Sequence, residues 1–286
     1  MYGTLYLVAT PIGNLKDISE RAIEVLRSAD IIAAEDTRNS IHLLTHFDIH
    51  TKLTSYHEYN KVEKAYTLIS ELKDGKNIAL ITDAGTPGIS DPGEVLVKMC
   101  HEEEITVTSL PGPCALINAL ILSGLSTRRF CFEGFLPTDK ERISKKERKR
   151  VLDSLVNEER TIIMYEAPHR LKATLNVLFE TLGNRKITLC RELTKKFEDI
   201  FPTDLENAIK FYDENDPRGE YVLVIEGLDP EEKKKQEILE YENLSIEEHM
   251  SMYTDKGIDK KEAMKLVAKD RGITKREVYD FLIKKS

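Results

Sequence analysis

Short apolar runs recur along the chain at intervals that leave room for one helix between them, and no other feature narrows the fold so far. The first five fall at residues 5–9, 31–34, 53–56, 78–81 and 105–110. The segments between them carry apolar residues at helical spacing, as in Ile18, Ala22, Ile23 and Leu26. Strands joined by helical crossovers run parallel, and a parallel sheet must be covered on both faces, which suits the continuous apolar runs at 31–34 and 78–81. The expected fold class is therefore α/β.

The stiff breaker Leu110-Pro-Gly-Pro-Cys114 ends the fifth run and starts a new helix, so a first domain is expected over residues 1–112. A second α/β series follows over 113–228, with strands expected near 130–133, 161–165, 187–191 and 221–225. The spacing around Phe197 to Pro202 leaves no room for a helix after the third of these, so an antiparallel hairpin is expected there. Residues 229–286 change character, from a charged linker to apolar positions at helical spacing (Ala263, Leu266, Val267; Val278, Phe281, Leu282) around Gly272-Ile-Thr-Lys275. That pattern resembles a small helix-turn-helix.

Composition excludes several classes. No apolar run approaches the roughly 18 residues of a membrane span, and the amino terminus has no basic stretch before its first apolar run, so neither a bilayer role nor a signal peptide is expected. Cys100, Cys114, Cys131 and Cys190 lie at wide spacings without a CxxC, which fits a reducing cytoplasm better than a disulfide framework or a zinc cage. The net charge of −8 hides a local asymmetry. Seven basic residues stand against two acidic ones from Lys140 to Arg150, whereas 229–248 holds eight acidic residues against three lysines. The basic set, Lys140, Arg142, Lys145, Lys146, Arg148, Lys149 and Arg150, is what a nucleic-acid phosphate backbone would meet. A solvated amphipathic helix would have the same composition.

The candidate site comes from the loops that follow the strands. Residues 82–93, Thr-Asp-Ala-Gly-Thr-Pro-Gly-Ile-Ser-Asp-Pro-Gly, put three glycines and two prolines at the carboxyl end of a buried strand, where open α/β sheets bind ligands. Asp91 and Pro92 are expected to be the N-cap and first residue of the next helix, with Glu94 completing a capping box. Three more polar turns should share that rim: Ala9-Thr-Pro-Ile-Gly-Asn-Leu15, Glu35-Asp-Thr-Arg38 and Ser55-Tyr-His-Glu-Tyr-Asn60. Any one could be a plain turn or cap; their joint placement is what points to a site. Neither a phosphate-binding GxxxxGK[ST], nor a GxGxxG after a strand, nor a GxSxG elbow occurs. His42, His46 and His50 read as surface histidines rather than metal ligands.

These residues carry a family resemblance. ATPIGNL at 9–15, EDTR at 35–38, SYHEYN at 55–60, DAGTPGISDPG at 83–93, PGPCA at 111–115, EGFLP at 133–137 and YEAPHR at 165–170 resemble, in that order, the small-subunit ribosomal RNA methyltransferase I family of the tetrapyrrole methylase superfamily. The resemblance implies a class III methyltransferase: two α/β domains, S-adenosyl-L-methionine between them, a homodimer, and methylation of the ribose 2′-hydroxyl of a cytidine in the decoding region of 16S rRNA or the 30S subunit. It implies a cofactor loop at Gly85, Thr86 and Pro87, with Thr86 where many relatives have Asp, so that an acidic contact would fall to Asp83. Ile12, Ile89, Ser90, Ala115, Leu116, Tyr165, Glu166 and Ala167 match positions around the adenosine and methionine. Expected acceptor-side groups are Glu35 or His57 as proton acceptor, with Asn14 and Arg38 orienting ribose and phosphate. A sulfonium favours a pocket with carboxylates and few cations, which the Asp83 loop suits. A tetrapyrrole-type small-molecule methyltransferase and a non-catalytic RNA-binding or assembly protein remain alternatives.

Overall fold

The computed structural model describes residues 1–137, 145–229, 231, 241 and 244–283. The chain divides into two compact units, one formed by residues 1–155 and 161–226, the other by 156–160 and 227–286.

The first unit holds two five-stranded sheets. In the amino-terminal half β1 (Thr4–Val8), β2 (Ile31–Ala34), β3 (Lys52–Ser55), β4 (Ile78–Ile81) and β5 (Thr106–Leu110) alternate with α1 (Glu20–Ser28), α2 (Thr37–His46), α3 (Lys61–Lys73) and α4 (Gly93–Glu102). All pairings are parallel, in the order β3-β2-β4-β1-β5. The two-residue period of the strands sorts their side chains onto two cores. Ile31, Ala33, Ile78 and Leu80 face α3 and α4 residues such as Leu68, Leu72 and Leu96, while Ile32, Ala34, Ala79 and Ile81 face Leu26 of α1 and Leu44 of α2. Burial on both faces is why these runs lack polar alternation.

The carboxyl-terminal half begins with α5 (Ala115–Leu122) and continues with β6 (Phe130–Phe135), α6 (Lys145–Val156), β7 (Thr161–Glu166), α7 (Pro168–Leu182), β8 (Lys186–Arg191), β9 (Asp199–Asp204), α8 (Leu205–Glu214) and β10 (Tyr221–Ile225). Its sheet runs β6-β7-β10-β8-β9. β10 is antiparallel to both neighbours, and β8 and β9 form the hairpin expected from their spacing. Pro168 starts α7 where its missing N–H costs nothing.

The second unit contains α9 (Ile246–Thr254), α10 (Lys260–Asp270) and α11 (Lys275–Ile283). Ile246, Met250, Ala263, Val267 and Val278 form its core. The sequence pattern showed the last two helices but not α9, although Ser245 and Glu248 form a complete capping box at its start. His249 of α9 is fully buried and stacks on Tyr241 at 4.1 Å.

Candidate functional site: a cleft on the carboxyl rim of the first sheet

Register places the loops after β3, β2, β4, β1 and β5 side by side along one rim, in that order. Backbone and hydroxyl bonds then fasten the loops after β4, β1 and β5 together. Thr10 and Gly85 exchange two backbone hydrogen bonds of 2.9 and 3.1 Å, and the Thr10 hydroxyl donates to the Thr82 carbonyl at 3.2 Å. The Thr86 hydroxyl donates to the Pro113 carbonyl at 2.9 Å. Gly85 sits at φ +88°, and a Cβ there would press on Ile12 at 3.2 Å, so both the turn and the close approach require glycine. Asp91 organises the rest of the loop: its carboxylate accepts from the Gly88, Ile89 and Gly93 amides at 2.6, 3.2 and 2.7 Å. Burial pushes that carboxyl above its ordinary value despite the three donors.

This corrects one expectation. The helix starts at Gly93 with Pro92 at the N-cap and no side-chain cap bond, one residue later than the sequence suggested. Asp91 is taken up by the loop's own amides, so no capping box forms with Glu94.

Against this rim the second sheet closes a cleft enclosing about 230 Å³. Eight of the cofactor candidates line it: Ile12, Gly85, Thr86, Ile89, Ala115, Tyr165, Glu166 and Ala167. Tyr165 is fixed edge-on by Phe132 and Phe135 at centroid distances of 4.9 and 5.8 Å. Glu166 is almost wholly buried, and its carboxylate is already engaged by the Thr174 hydroxyl at 2.5 Å, the Ala167 amide at 2.8 Å and Arg170 at 3.1 Å. It holds the start of α7 in place rather than offering a free charge to the cleft.

Four cofactor candidates lie outside the lining. The Asp83 carboxylate accepts from the Asp36 amide at 3.1 Å and from Asn39 at 3.2 Å, so it braces the neighbouring loop. Pro87 lines a separate, shallower hollow with Leu7, Gly88 and Glu94. Ser90, at φ +61°, lies so close to Gly134 that a Cβ there would stand 3.1 Å from its hydroxyl. Leu116 is buried in the core beneath α5.

Of the acceptor-side candidates, Glu35, Arg38 and His57 lie further along the rim, after β2 and β3, while Asn14 shares the β1 loop with Ile12. Glu35 is half-buried and accepts from the Thr82 hydroxyl at 2.7 Å. The His57 amide donates to Asn60 at 2.8 Å, while its buried Nδ1 has no hydrogen-bond partner among the described residues. Arg38 grips Asp36 through two nitrogens at 3.0 and 2.6 Å, holding that carboxyl down to about 2 while 87% of the Arg38 side chain stays exposed. Asn14 caps the short turn Leu15–Asp17 by accepting from the Lys16 amide at 3.1 Å. Of the basic stretch, Lys140 and Arg142 lie outside the described residues, as does the side chain of Lys145. Lys146, Lys149 and Arg150 are exposed on α6, with Arg148 half-buried.

The part of the wall not expected from sequence comes from β8 and β10. Cys190, Glu192, Leu193, Lys195, Glu220, Tyr221 and Val222 line the cleft together with Ala84, Cys114 and Phe135. Lys195 Nζ lies 2.9 Å from Glu192 and 2.8 Å from Glu220, and the Glu220 amide donates to Glu192 at 3.0 Å. Burial opposes both charges, yet the hydrogen bonds outweigh it: Glu192 ends below its ordinary value and Lys195 above. The cation unforeseen in the sequence is thus matched twice over, and two carboxylates against one ammonium leave this wall one negative charge. Antiparallel pairing of β8 with β10 brings Glu192 and Glu220 together across 28 positions, a link that no local pattern reveals. The only sequence signal was their place at strand ends on the same edge as Tyr165.

Small residues where backbone must approach (Gly85, Ala84, Ala115), aromatic surface at Tyr165, Phe135 and Tyr221, and a net negative wall make a cleft suited to a nucleoside bearing a positive centre. Comparison with known proteins identifies the family. The family described as Tetrapyrrole (Corrin/Porphyrin) Methylases matches residues 4–209. Ribosomal RNA small subunit methyltransferase I of Halalkalibacterium halodurans is 49% identical over 97% of this chain and 94% of its own, and that of Bacillus subtilis is 48% identical over 97% and 93%. Among solved structures, diphthine synthase superposes with a TM-score of 0.60 at 14% identity, over 78% of this chain and 90% of its own. That last likeness speaks for the fold alone.

Proposed function

The chain belongs to the tetrapyrrole methylase family, on its ribosomal RNA small subunit methyltransferase I branch, and from that premise we propose that it methylates the ribose 2′-hydroxyl of a cytidine in the decoding region of 16S rRNA, using S-adenosyl-L-methionine. The observation that carries the cofactor half is the cleft itself, with eight family-matched residues along its wall. When bound, the cofactor supplies an electrophilic methyl on a sulfonium. Gly85 and Thr86 would hold it through backbone at close range, Tyr165 and Ala115 would flank its rings, and the Glu192, Lys195 and Glu220 cluster would favour its positive charge.

Methyl transfer needs acceptor oxygen, carbon and sulfur in line, so most of the rate must come from positioning. The fastened loops after β1, β4 and β5 serve that need. Glu35 or His57 would take the hydroxyl proton, with Arg38 and Asn14 placing phosphate and ribose. Among the described residues one Glu35 carboxylate oxygen and the His57 Nδ1 have no hydrogen-bond partner, so each retains accepting capacity. Lys146, Lys149 and Arg150 would meet RNA phosphates as it approaches.

The protein would act in the cytoplasm as a homodimer. Ile117, Ile121 and Leu122 of α5 stand 43, 64 and 45% exposed, an apolar face that a second copy would cover; Ile121→Glu should then sediment as a monomer. Among the described residues no helix is long and apolar enough to cross a membrane.

Calorimetry with S-adenosyl-L-methionine, followed by label transfer to unmodified 30S subunits, tests the reading. Binding and transfer to RNA support it. Transfer to uroporphyrinogen instead would favour the small-molecule alternative, and failure to bind the cofactor would favour an assembly protein.

A further inference from the structure

The seven residues between β8 and β9, Glu192 to Glu198, form a turn whose base is fixed and whose tip is bare. Glu192 and Thr194 both occupy the left-handed region, at φ 50° and 65°, a conformation that non-glycine residues hold only when their surroundings impose it. The surroundings do so here. The Thr194 amide donates to the Glu198 carboxylate at 2.6 Å, the Lys195 amide to the Glu192 carbonyl at 3.0 Å, and the Glu198 amide to the Lys195 carbonyl at 3.1 Å. Lys195 ties the base to Glu192 and Glu220 in the cleft wall, and its side chain lies across Gly13.

Beyond this base stand Lys196 and Phe197. Phe197 is 68% exposed, more than any other described phenylalanine, and the Lys196 ammonium stands 5.5 Å from its ring centroid. No ion pair holds Lys196 among the described residues. A turn that leaves most of its phenylalanine in solvent gains little folding stability from presenting it.

Resting on the RNA-acceptor reading, we propose that this turn is an RNA-contacting finger: Phe197 stacks on an unpaired base next to the target nucleotide, and Lys196 meets a backbone phosphate. An aromatic face beside a mobile cation is the pairing that single-stranded nucleic acid selects, since every base has a π-face and every nucleotide a phosphate. The ring is one apolar group among Lys195, Lys196, Glu198 and Asp199, too small and too charged a surface for a stable interface with a second copy. The finger's base, Glu192, Leu193 and Lys195, lines the cofactor cleft.

The test uses the full-length protein with Phe197→Ala, Phe197→Trp and Lys196→Ala. Dissociation constants are measured for a fluorescent single-stranded oligoribonucleotide of decoding-region sequence, KM and kcat for unmodified 30S subunits, and cofactor affinity by calorimetry. Phe197→Ala should weaken oligoribonucleotide binding and raise KM by about 5- to 150-fold, the loss of one stacked base. Cofactor affinity should stay unchanged, and Phe197→Trp should restore binding. Lys196→Ala should lower the salt-dependence slope by about 1. Unchanged RNA affinity in Phe197→Ala overturns the proposal, as does a change in oligomeric state in place of RNA binding. If the wild type binds the oligoribonucleotide but methylates no RNA, the functional reading fails while the binding series still decides the finger.

Discussion

Gly13→Ala isolates the contact that joins the two halves of the cleft. The φ of Gly13 is not in the left-handed region, so alanine fits its backbone and the substitution tests space alone. A Cβ there would stand 2.3 Å from Lys195 Cγ, 3.0 Å from the Thr194 hydroxyl and 3.1 Å from the Leu193 carbonyl. The nearest atom is mid-chain in a lysine whose ammonium is held by two carboxylates, so it cannot swing aside without breaking both bonds. Overpacking of this kind costs about 1–3 kcal/mol, and a domain of this size loses roughly 2–4 °C of Tm per kcal/mol. The expected outcome is a Tm lowered by roughly 2–12 °C in thermal unfolding. Cofactor affinity should fall in calorimetry, because the displaced loop is cleft wall. Lys195→Ala removes the obstructing Cγ, so the double variant should be more stable than the sum of the two single losses predicts, by the energy of the clash. Strict additivity, or a Gly13→Ala variant with unchanged Tm and affinity, would refute the reasoning.

Ala115→Leu should fill the cleft at the start of α5 and weaken cofactor binding at least about 100-fold, with the unliganded Tm nearly unchanged; calorimetry showing ordinary affinity would contradict the lining. Glu192→Gln should show a pH signature. Burial raises the Glu192 carboxyl, but Lys195 and the Glu220 amide outweigh it and leave it below its ordinary 4.5. Its stabilisation is therefore full above the unfolded value and lost as pH falls through the lower folded one, so the Tm gap between wild type and variant should narrow below 4.5. A gap that stays constant on acidification counts against the ion cluster. Burial pushes the Cys100 and Cys190 thiols up to about 11 and about 12, so neither should be alkylated at neutral pH in the folded protein. Alkylation of Cys114 should slow when S-adenosyl-L-methionine is added, because Cys114 lines the cleft. Mass spectrometry finding label on native Cys190, or no protection of Cys114, would disagree.

The first sheet was legible because its central strands β2 and β4 are buried on both faces and appear as unbroken apolar runs, each followed by a Gly, Pro or polar turn. The rim followed from topology: parallel strands put their carboxyl ends on one edge, and the loops at Ile12, Gly85 and Ala115 then had to converge. The opposite wall was not legible. Glu192, Lys195 and Glu220 acquire meaning only when β8 and β10 pair, and the left-handed φ at Glu192 and Thr194 is not signalled by residue type. Asp83 and Glu166 show a further limit of the sequence. Their carboxylates sit at the right loops but are spent on Asn39 and the Asp36 amide in one case, and on Thr174 and Arg170 in the other. Sequence locates a charge; only the fold says which atom satisfies it.

The most direct test of the central claim is to incubate the protein with S-adenosyl-L-methionine labelled on the methyl group and 30S subunits lacking the modification, then map the labelled nucleotide. The account predicts one 2′-O-methylated cytidine in the decoding region of 16S rRNA, lost when Gly85 is replaced by a residue that closes the cleft. Label on a base instead of a ribose, on a different nucleotide, or on no RNA at all would contradict it.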